Sequence, residues 1–286
     1  MLLADKWKDY KVLSTGDGYK LERWNGVTLL RPDPQVIWHG SDIMNADCDA
    51  KYIRSDKGGG KWVYYKKVPE EWVISYGDLK FKVKPMGFKH TGIFPEQAAN
   101  WDKTSVLIKN AKRPISVLNL FAYTGGATCS CLAAGASVCH VDAAKGMVER
   151  AGENVRLSGL SDKPVRFIVD DCEKFVTREI RRGRRYDAII MDPPSYGRGP
   201  NGEMWKIEDQ LFDLVELCAK VLSDEPLFFL INSYTTGLQP QVLKNVLTLS
   251  VLNKIGKGRV EAYEVGLPTE EGIALPCGAG GIYINE

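Results

Sequence analysis

Three observations predict an α/β fold for this chain of 286 residues, with a seven-stranded parallel sheet behind a small β-rich front domain. From residue 113 onward, apolar runs of strand length alternate with amphipathic helical stretches, the pattern of a parallel sheet covered on both faces. The first ninety residues instead alternate wet and dry positions between turn residues, as antiparallel hairpins do. The composition, 44% hydrophobic and 26% charged, is that of a globular chain with material for a sizeable core.

Taken in order, Tyr10 to Phe88 is dense in Trp, Tyr, Val and Lys, and is broken at Gly16-Asp17-Gly18, Asn25-Gly26 and Gly58-Gly59-Gly60. Alternation in Trp62 to Val68 and in Leu79 to Lys84 predicts strands with one wet face. The domain division is placed at residues 1–90 and 91–286. Strands are expected at Ile115 to Ala122, Ser137 to Asp142, Val165 to Asp171, Tyr186 to Asp192, Pro226 to Ser233, Arg259 to Val265 and Gly281 to Ile284. Helices are expected at Gly146 to Ser158, where Met147, Ala151, Val155 and Leu157 share a face, and at Lys206 to Leu222, where Leu211, Leu214, Val215, Cys218 and Leu222 do. Gln239 to Leu249 is a third.

Composition also excludes several classes. No apolar run approaches the ~18 residues a membrane helix needs, and the start does not read as a secretory signal, so a cytoplasmic address without membrane attachment is expected. Seven scattered cysteines do not form a disulfide framework, and no C-x2-C spacing proposes a zinc site. The net charge of +2 does not announce a nucleic-acid binder, although residues 1–90, with 16 Lys/Arg against 12 Asp/Glu, carry +4.

In open parallel sheets the ligand sits outside the carboxyl ends of the strands. Four strand exits carry signals. Asn119-Leu120-Phe121-Ala122-Tyr123-Thr124-Gly125-Gly126 lets backbone approach a ligand closely, but Tyr123 stands where a dinucleotide fingerprint wants glycine. Asp142, about twenty residues on, can accept from both hydroxyls of a ribose, or can cap a helix. Asp171, in Asp170-Asp171-Cys172, can take an exocyclic amine or act as a cap. Asp192-Pro193-Pro194-Ser195-Tyr196 is a stiff loop of acceptors suited to holding a flat amino-bearing group in line with an electrophile.

These segments, preceded by Gly92-Ile93-Phe94-Pro95-Glu96-Gln97, resemble the motifs of class I S-adenosylmethionine-dependent methyltransferases, and more narrowly the branch that methylates bases of large-subunit ribosomal RNA. The resemblance covers residues 90 to 235. It implies a Rossmann-like sheet, S-adenosylmethionine as cofactor and RNA as partner. It assigns Phe94, Gln97, Asn119, Phe121, Tyr123, Thr124, Gly125, Gly126, Asp142, Asp171 and Cys172 to the cofactor, and Asp192, Pro193, Pro194, Ser195 and Tyr196 to the target base. Asn119 replaces the acid that some relatives carry at the end of the first strand, and Ser195 stands where amino-methylating relatives place an aromatic, with Tyr196 next to it. No cysteine stands in the loop after the fourth strand or in Ile231-Asn232-Ser233-Tyr234-Thr235, which favours a nitrogen acceptor over carbon 5 of a pyrimidine. Cys277, in a loop-like context, is the remaining nucleophile candidate. The implied chemistry needs no metal, since a sulfonium is already an activated electrophile.

Alternatives stay open: a non-catalytic nucleotide- or RNA-binding module of the same fold, or a methyltransferase acting on a protein or a small molecule. A nicotinamide oxidoreductase is disfavoured by the missing G-x-G-x-x-G. The cluster Arg178, Arg181, Arg182, Arg184 and Arg185 fits either RNA phosphates or a solvated helix end. His39, His90 and His140 have no acid at a ligand spacing and read as core or surface residues.

Overall fold

The structure is a computed structural model that describes residues 1–40, 42–55, 59–87, 89–198, 204–235 and 237–285. Five residues of the expected β-rich segment, Ser41, Asp56, Lys57, Gly58 and Phe88, lie outside the described residues. The chain forms two compact units, Met1–Ala99 with Val265–Cys277, and Asn100–Glu264 with the residues from Gly278 onward. A segment distant in sequence, Val265–Cys277, completes the first unit.

The first unit contains β1 (Leu2–Leu3), β2 (Tyr10–Gly16), β3 (Tyr19–Trp24), β4 (Val27–Pro32), β5 (Ala50–Arg54), β6 (Gly60–Tyr64), β7 (Trp72–Tyr76) and β8 (Leu79–Val83). β2 to β6 form a sheet in chain order, with β4 and β5 parallel and the other neighbours antiparallel, and β7 and β8 form a separate hairpin. The expected alternation is visible in β8, where Leu79, Phe81 and Val83 are buried while Lys80 is exposed. Glu22 is fully buried and is held by Arg31 at 2.5 Å and by the Tyr10 hydroxyl, which donates at 2.6 Å. Such a carboxylate is tolerable only because those donors replace water.

In the second unit, α1 (Ala98–Asn110) precedes β9 (Ser116–Leu120), α2 (Gly126–Ala133), β10 (Ser137–Asp142), α3 (Lys145–Leu157), β11 (Val165–Val169), α4 (Cys172–Arg181) and β12 (Ala188–Met191). A short hairpin, β13 (Tyr196–Arg198) and β14 (Met204–Lys206), leads into α5 (Ile207–Ala219), β15 (Phe228–Ser233) and α6 (Pro240–Leu247). A π turn at Thr248–Leu252 and α7 (Asn253–Ile255) follow, then β16 (Arg259–Pro268) and β17 (Ala274–Ile284), of which Val265–Pro268 and Ala274–Cys277 are counted with the first unit. The seven expected strands run in the order β16-β17-β15-β12-β9-β10-β11, and β17 is antiparallel to β15. An eighth, β1, pairs in parallel with Val265 and Gly266 of β16; two residues are too few to leave a periodic signal.

Apolar strand interiors drive this unit together. Leu118, Leu120, Val141, Ile189, Met191, Phe229 and Ile231 belong to one buried cluster with Leu211, Leu214, Val215 and Cys218 of α5. The expected face of α3 is partly corrected: Val148, Ala151, Asn154 and Val155 are buried, whereas Leu157 is exposed at the helix end. Among the described residues no helix is long and apolar enough to cross a membrane.

Candidate functional site

From β9 the chain turns one way to β10 and β11, then crosses to the other side for β12. The crevice at such a reversal is where ligands of open α/β sheets sit. The Gly-rich turn after β9 and the Asp-Pro-Pro loop after β12 therefore leave neighbouring strands at the same end of the sheet, with Met191 paired to Leu120.

The turn after β9 is locally strained. Phe121 (φ 54°), Tyr123 (φ 50°) and Gly125 (φ 83°) all take left-handed backbone, which costs a residue with a side chain about 1–2 kcal/mol. Tyr123 adopts the conformation that the dinucleotide pattern gives to glycine, and its surroundings hold it there. The Phe121 amide donates to Cys172 Sγ at 3.3 Å, the Ala122 amide to the Val141 carbonyl at 3.1 Å, and the Tyr123 amide to Asp142 Oδ2 at 2.8 Å. Asn154, on α3, donates to the Thr124 carbonyl at 2.9 Å. Gly125 caps α2 without any side-chain acceptor. Gly126 is buried, and a Cβ there would run into the Trp101 indole.

Asn119 is 3% exposed and donates to Thr128 Oγ1 at 3.0 Å; that hydroxyl also meets His140 Nδ1 at 2.9 Å. The Asn119 amide is therefore committed to an internal network. His140 is fully buried, its Nε2 has no hydrogen-bond partner among the described residues, and burial pushes its pKa down to about 4. As pH falls below ~6.5 the unfolded chain takes up the proton first, so this stability is complete above that pH and is lost as pH descends toward 4. The expected loss from pH 7 to pH 5 is about 2 kcal/mol for this one group. Urea unfolding at both pH values should show it, and His140→Gln should remove that part of the slope; an unchanged slope would refute the assignment to His140.

Asp142 is half-buried at the end of β10. Its Oδ2 accepts from Tyr123 and its Oδ1 from the Ala144 amide at 2.9 Å. An ionised carboxylate offers about four acceptor positions, so capacity remains on both oxygens. Asp171 is the N-cap of α4, accepting from the Lys174 amide at 2.9 Å through Oδ1. Asp170 pairs with Arg178 and accepts from the Asp171 amide. The Cys172 side chain is 3% exposed, and burial pushes its thiol up to about 12. Only its backbone, in the first turn of α4, is left for a ligand.

After β12, Asp192 is half-buried, Pro193 buried, and Pro194, Ser195 and Tyr196 exposed. The loop is clamped along its length. Trp205 Nε1 donates to the Pro194 carbonyl at 2.5 Å, the Ile207 amide to the Ser195 carbonyl at 3.1 Å, and the Thr235 hydroxyl to Ser195 Oγ at 2.5 Å. The sequence reading missed the neighbouring network in which the Tyr263 hydroxyl donates to Asn100 Oδ1 and Asn100 Nδ2 donates to Asn232 Oδ1, each at 2.8 Å. The available signal was Asn232 itself, an amide inside an otherwise apolar strand.

Phe94 and Gln97 belong to the first unit, at the Pro95–Gln97 turn. Cys277 is corrected from loop to strand: it lies half-buried within β17, and burial holds its thiol well above the ordinary value. The arginine cluster closes α4, where Arg178 pairs with Asp170 and Arg182 with buried Glu179 at 3.0 Å, while Arg181, Arg184 and Arg185 are exposed. Exposed His39 meets Asp17 at 2.6 Å. Among the described residues no group of three or more His, Cys, Asp or Glu is placed to hold a metal.

Ribosomal RNA large subunit methyltransferase K/L of Methylococcus capsulatus is 32% identical over 164 residues, covering 57% of this chain and 21% of that protein. Ribosomal RNA large subunit methyltransferase K of Neisseria meningitidis is 24% identical over 230 residues, covering 76% of this chain and 64% of that protein. The chain thus spans from about a fifth to just under two thirds of these curated relatives. A solved S-adenosylmethionine-dependent methyltransferase from Agrobacterium tumefaciens superposes with a TM-score of 0.91 at 32% identity, covering 100% of this chain and 93% of that one. The sequence pattern of S-adenosylmethionine-dependent methyltransferases matches residues 38–233, from β4–β5 through the Asp-Pro-Pro loop to the end of β15, and the chain belongs to that family.

Proposed function

We propose that this protein methylates a nitrogen of a ribosomal RNA base, which it would meet in the cytoplasm. Residues 91–286 are assigned to methyl transfer and the basic front, residues 1–90, to holding the RNA. The relatives named for large-subunit ribosomal RNA support the acceptor. The observation that carries the reading is the clamped Asp192-Pro193-Pro194 loop on the strand beside the Gly-rich turn, at the reversal of strand order.

The residues fit S-adenosylmethionine. Asp142 has one acceptor position to spare on each oxygen, matching two adjacent ribose hydroxyls, and the second oxygen of Asp171 suits the adenine amine. The turn from Phe121 to Gly126 presents backbone and the uncapped start of α2 to the methionine part. When bound, the cofactor supplies a methyl already activated for displacement. The protein's own work is alignment: Asp192 accepts the N–H of the base and fixes the nitrogen lone pair toward that methyl. Six of the seven thiols are buried and the seventh is held protonated by burial, so no thiolate is poised for the attack that carbon-5 methylation requires.

The test is transfer of labelled methyl to total RNA from a strain lacking the gene, followed by nucleoside mapping. Label on a nitrogen of a ribosomal base supports the proposal; label on carbon 5, or in protein or small molecules alone, overturns it. Separately, Asp142→Ala should weaken cofactor binding by about 1.5–3 kcal/mol, as expected for hydrogen bonds to a charged acceptor. Calorimetric titration of the cofactor and of its demethylated product reads this directly, and an unchanged affinity would remove Asp142 from the site.

A further inference from the structure

A second concentration of positive charge, besides the arginine cluster at the end of α4, lies in the first unit. Residues 50–67, the β5–β6 hairpin and the two lysines after it, hold six Lys/Arg against one Asp, a net of +5 in a chain whose total is +2. β6 is the outer strand of its five-stranded sheet. At its end Tyr64 is 54% and Tyr65 60% exposed, and Lys61 and Lys67 are exposed as well. Single exposed apolar residues need no explanation. Two adjacent tyrosine rings in water, set among cations, do.

The surrounding charges narrow the occupant. Lys66 is compensated by Asp47 at 2.7 Å and Asp49 at 3.7 Å, and Lys51 lies over the Tyr19 ring at 5.3 Å. Lys61 and Lys67 have no acidic partner among the described residues. An edge strand flanked by lysines repels a second copy of itself. Exposed rings interleaved with uncompensated cations are what a single-stranded nucleic acid needs, rings to stack on bases and cations to meet phosphates. A duplex keeps its bases stacked internally and would use the cations alone.

We infer that the β5–β6 hairpin holds a single-stranded segment of the acceptor RNA, with bases on Tyr64 and Tyr65 and phosphates on Lys61 and Lys67. This rests on RNA being the acceptor. Anisotropy titrations of short single-stranded and duplex RNA across a salt series test it, using wild type, Tyr64→Ala/Tyr65→Ala and Lys61→Ala/Lys67→Ala, with cofactor affinity measured on each. The tyrosine pair should lose about tenfold or more in single-strand affinity with its salt slope unchanged. The lysine pair should flatten the slope by about 0.7 per lost contact. Cofactor affinity should not move in either. Single-strand affinity unchanged in the tyrosine variant, or duplex weakened equally, overturns the inference. A wild type that transfers no methyl to RNA, yet loses single-strand affinity in the tyrosine variant, supports the hairpin and overturns only the proposed reaction.

Discussion

Asp192→Ala is expected to lower turnover about a hundredfold or more, the scale of loss that misplacement of a reacting group brings, while leaving cofactor affinity nearly intact. The reason is the division of labour around the crevice. The proposed cofactor contacts leave from β9, β10 and β11, whereas Asp192 follows β12, on a loop held by Trp205, Ile207 and Thr235. Removing one carboxylate from a loop clamped at Pro194 and Ser195 should not unfold it. The lost contact is one the acceptor makes, so kcat should fall more steeply than cofactor binding. Single-turnover methylation with RNA, beside a cofactor titration of the same variant, separates the two. If both fall together, the carboxylate supports the fold of the crevice rather than the position of the base.

Reading these positions from sequence worked where a single physical cause dominates. β10 was legible to the residue, because Ser137 to Asp142 is an apolar run that ends on an acid and is buried throughout its interior. β17 was not. Its glycines made Ala274 to Gly280 look like loop, yet a Cβ on Gly280 would lie 2.7 Å from the Tyr263 ring and one on Gly281 would lie 2.8 Å from Leu243. The glycines are there because neighbours press on the strand, and that pressure is invisible without the tertiary structure. For the same reason Cys277 was misread as a loop thiol. The places of Asp142 and Asp192 at strand ends were legible from the apolar runs that precede them. The inward commitment of Asn119 to Thr128 was not, since it depends on which side of β9 faces α2. The left-handed backbone of Phe121 and Tyr123 was hidden too, because nothing in either residue type announces it.

Gly125 joins the local and tertiary demands at one position, and Gly125→Ala is expected to cost about 2–5 kcal/mol. Two causes add. At φ 83° an alanine pays about 1–2 kcal/mol for the left-handed conformation. Its Cβ would also stand 2.9 Å from Ala151 Cβ and 3.3 Å from Ala151 Cα on α3, and overpacking of this kind costs roughly 1–3 kcal/mol. Neither neighbour is the flexible end of a side chain, so relief requires α2 and α3 to separate. That movement would carry along the Thr124 carbonyl, which Asn154 of α3 holds at 2.9 Å, and the proposed methionine site should weaken with it. Denaturant unfolding and cofactor titration of the variant should both register the change. Gly125→Asn divides the causes, because asparagine tolerates left-handed backbone but carries the same Cβ. If Asn proves as stable as glycine while Ala does not, backbone conformation alone fixes this residue; a loss of at least half the alanine effect shows that the close approach of the two helices also requires glycine here.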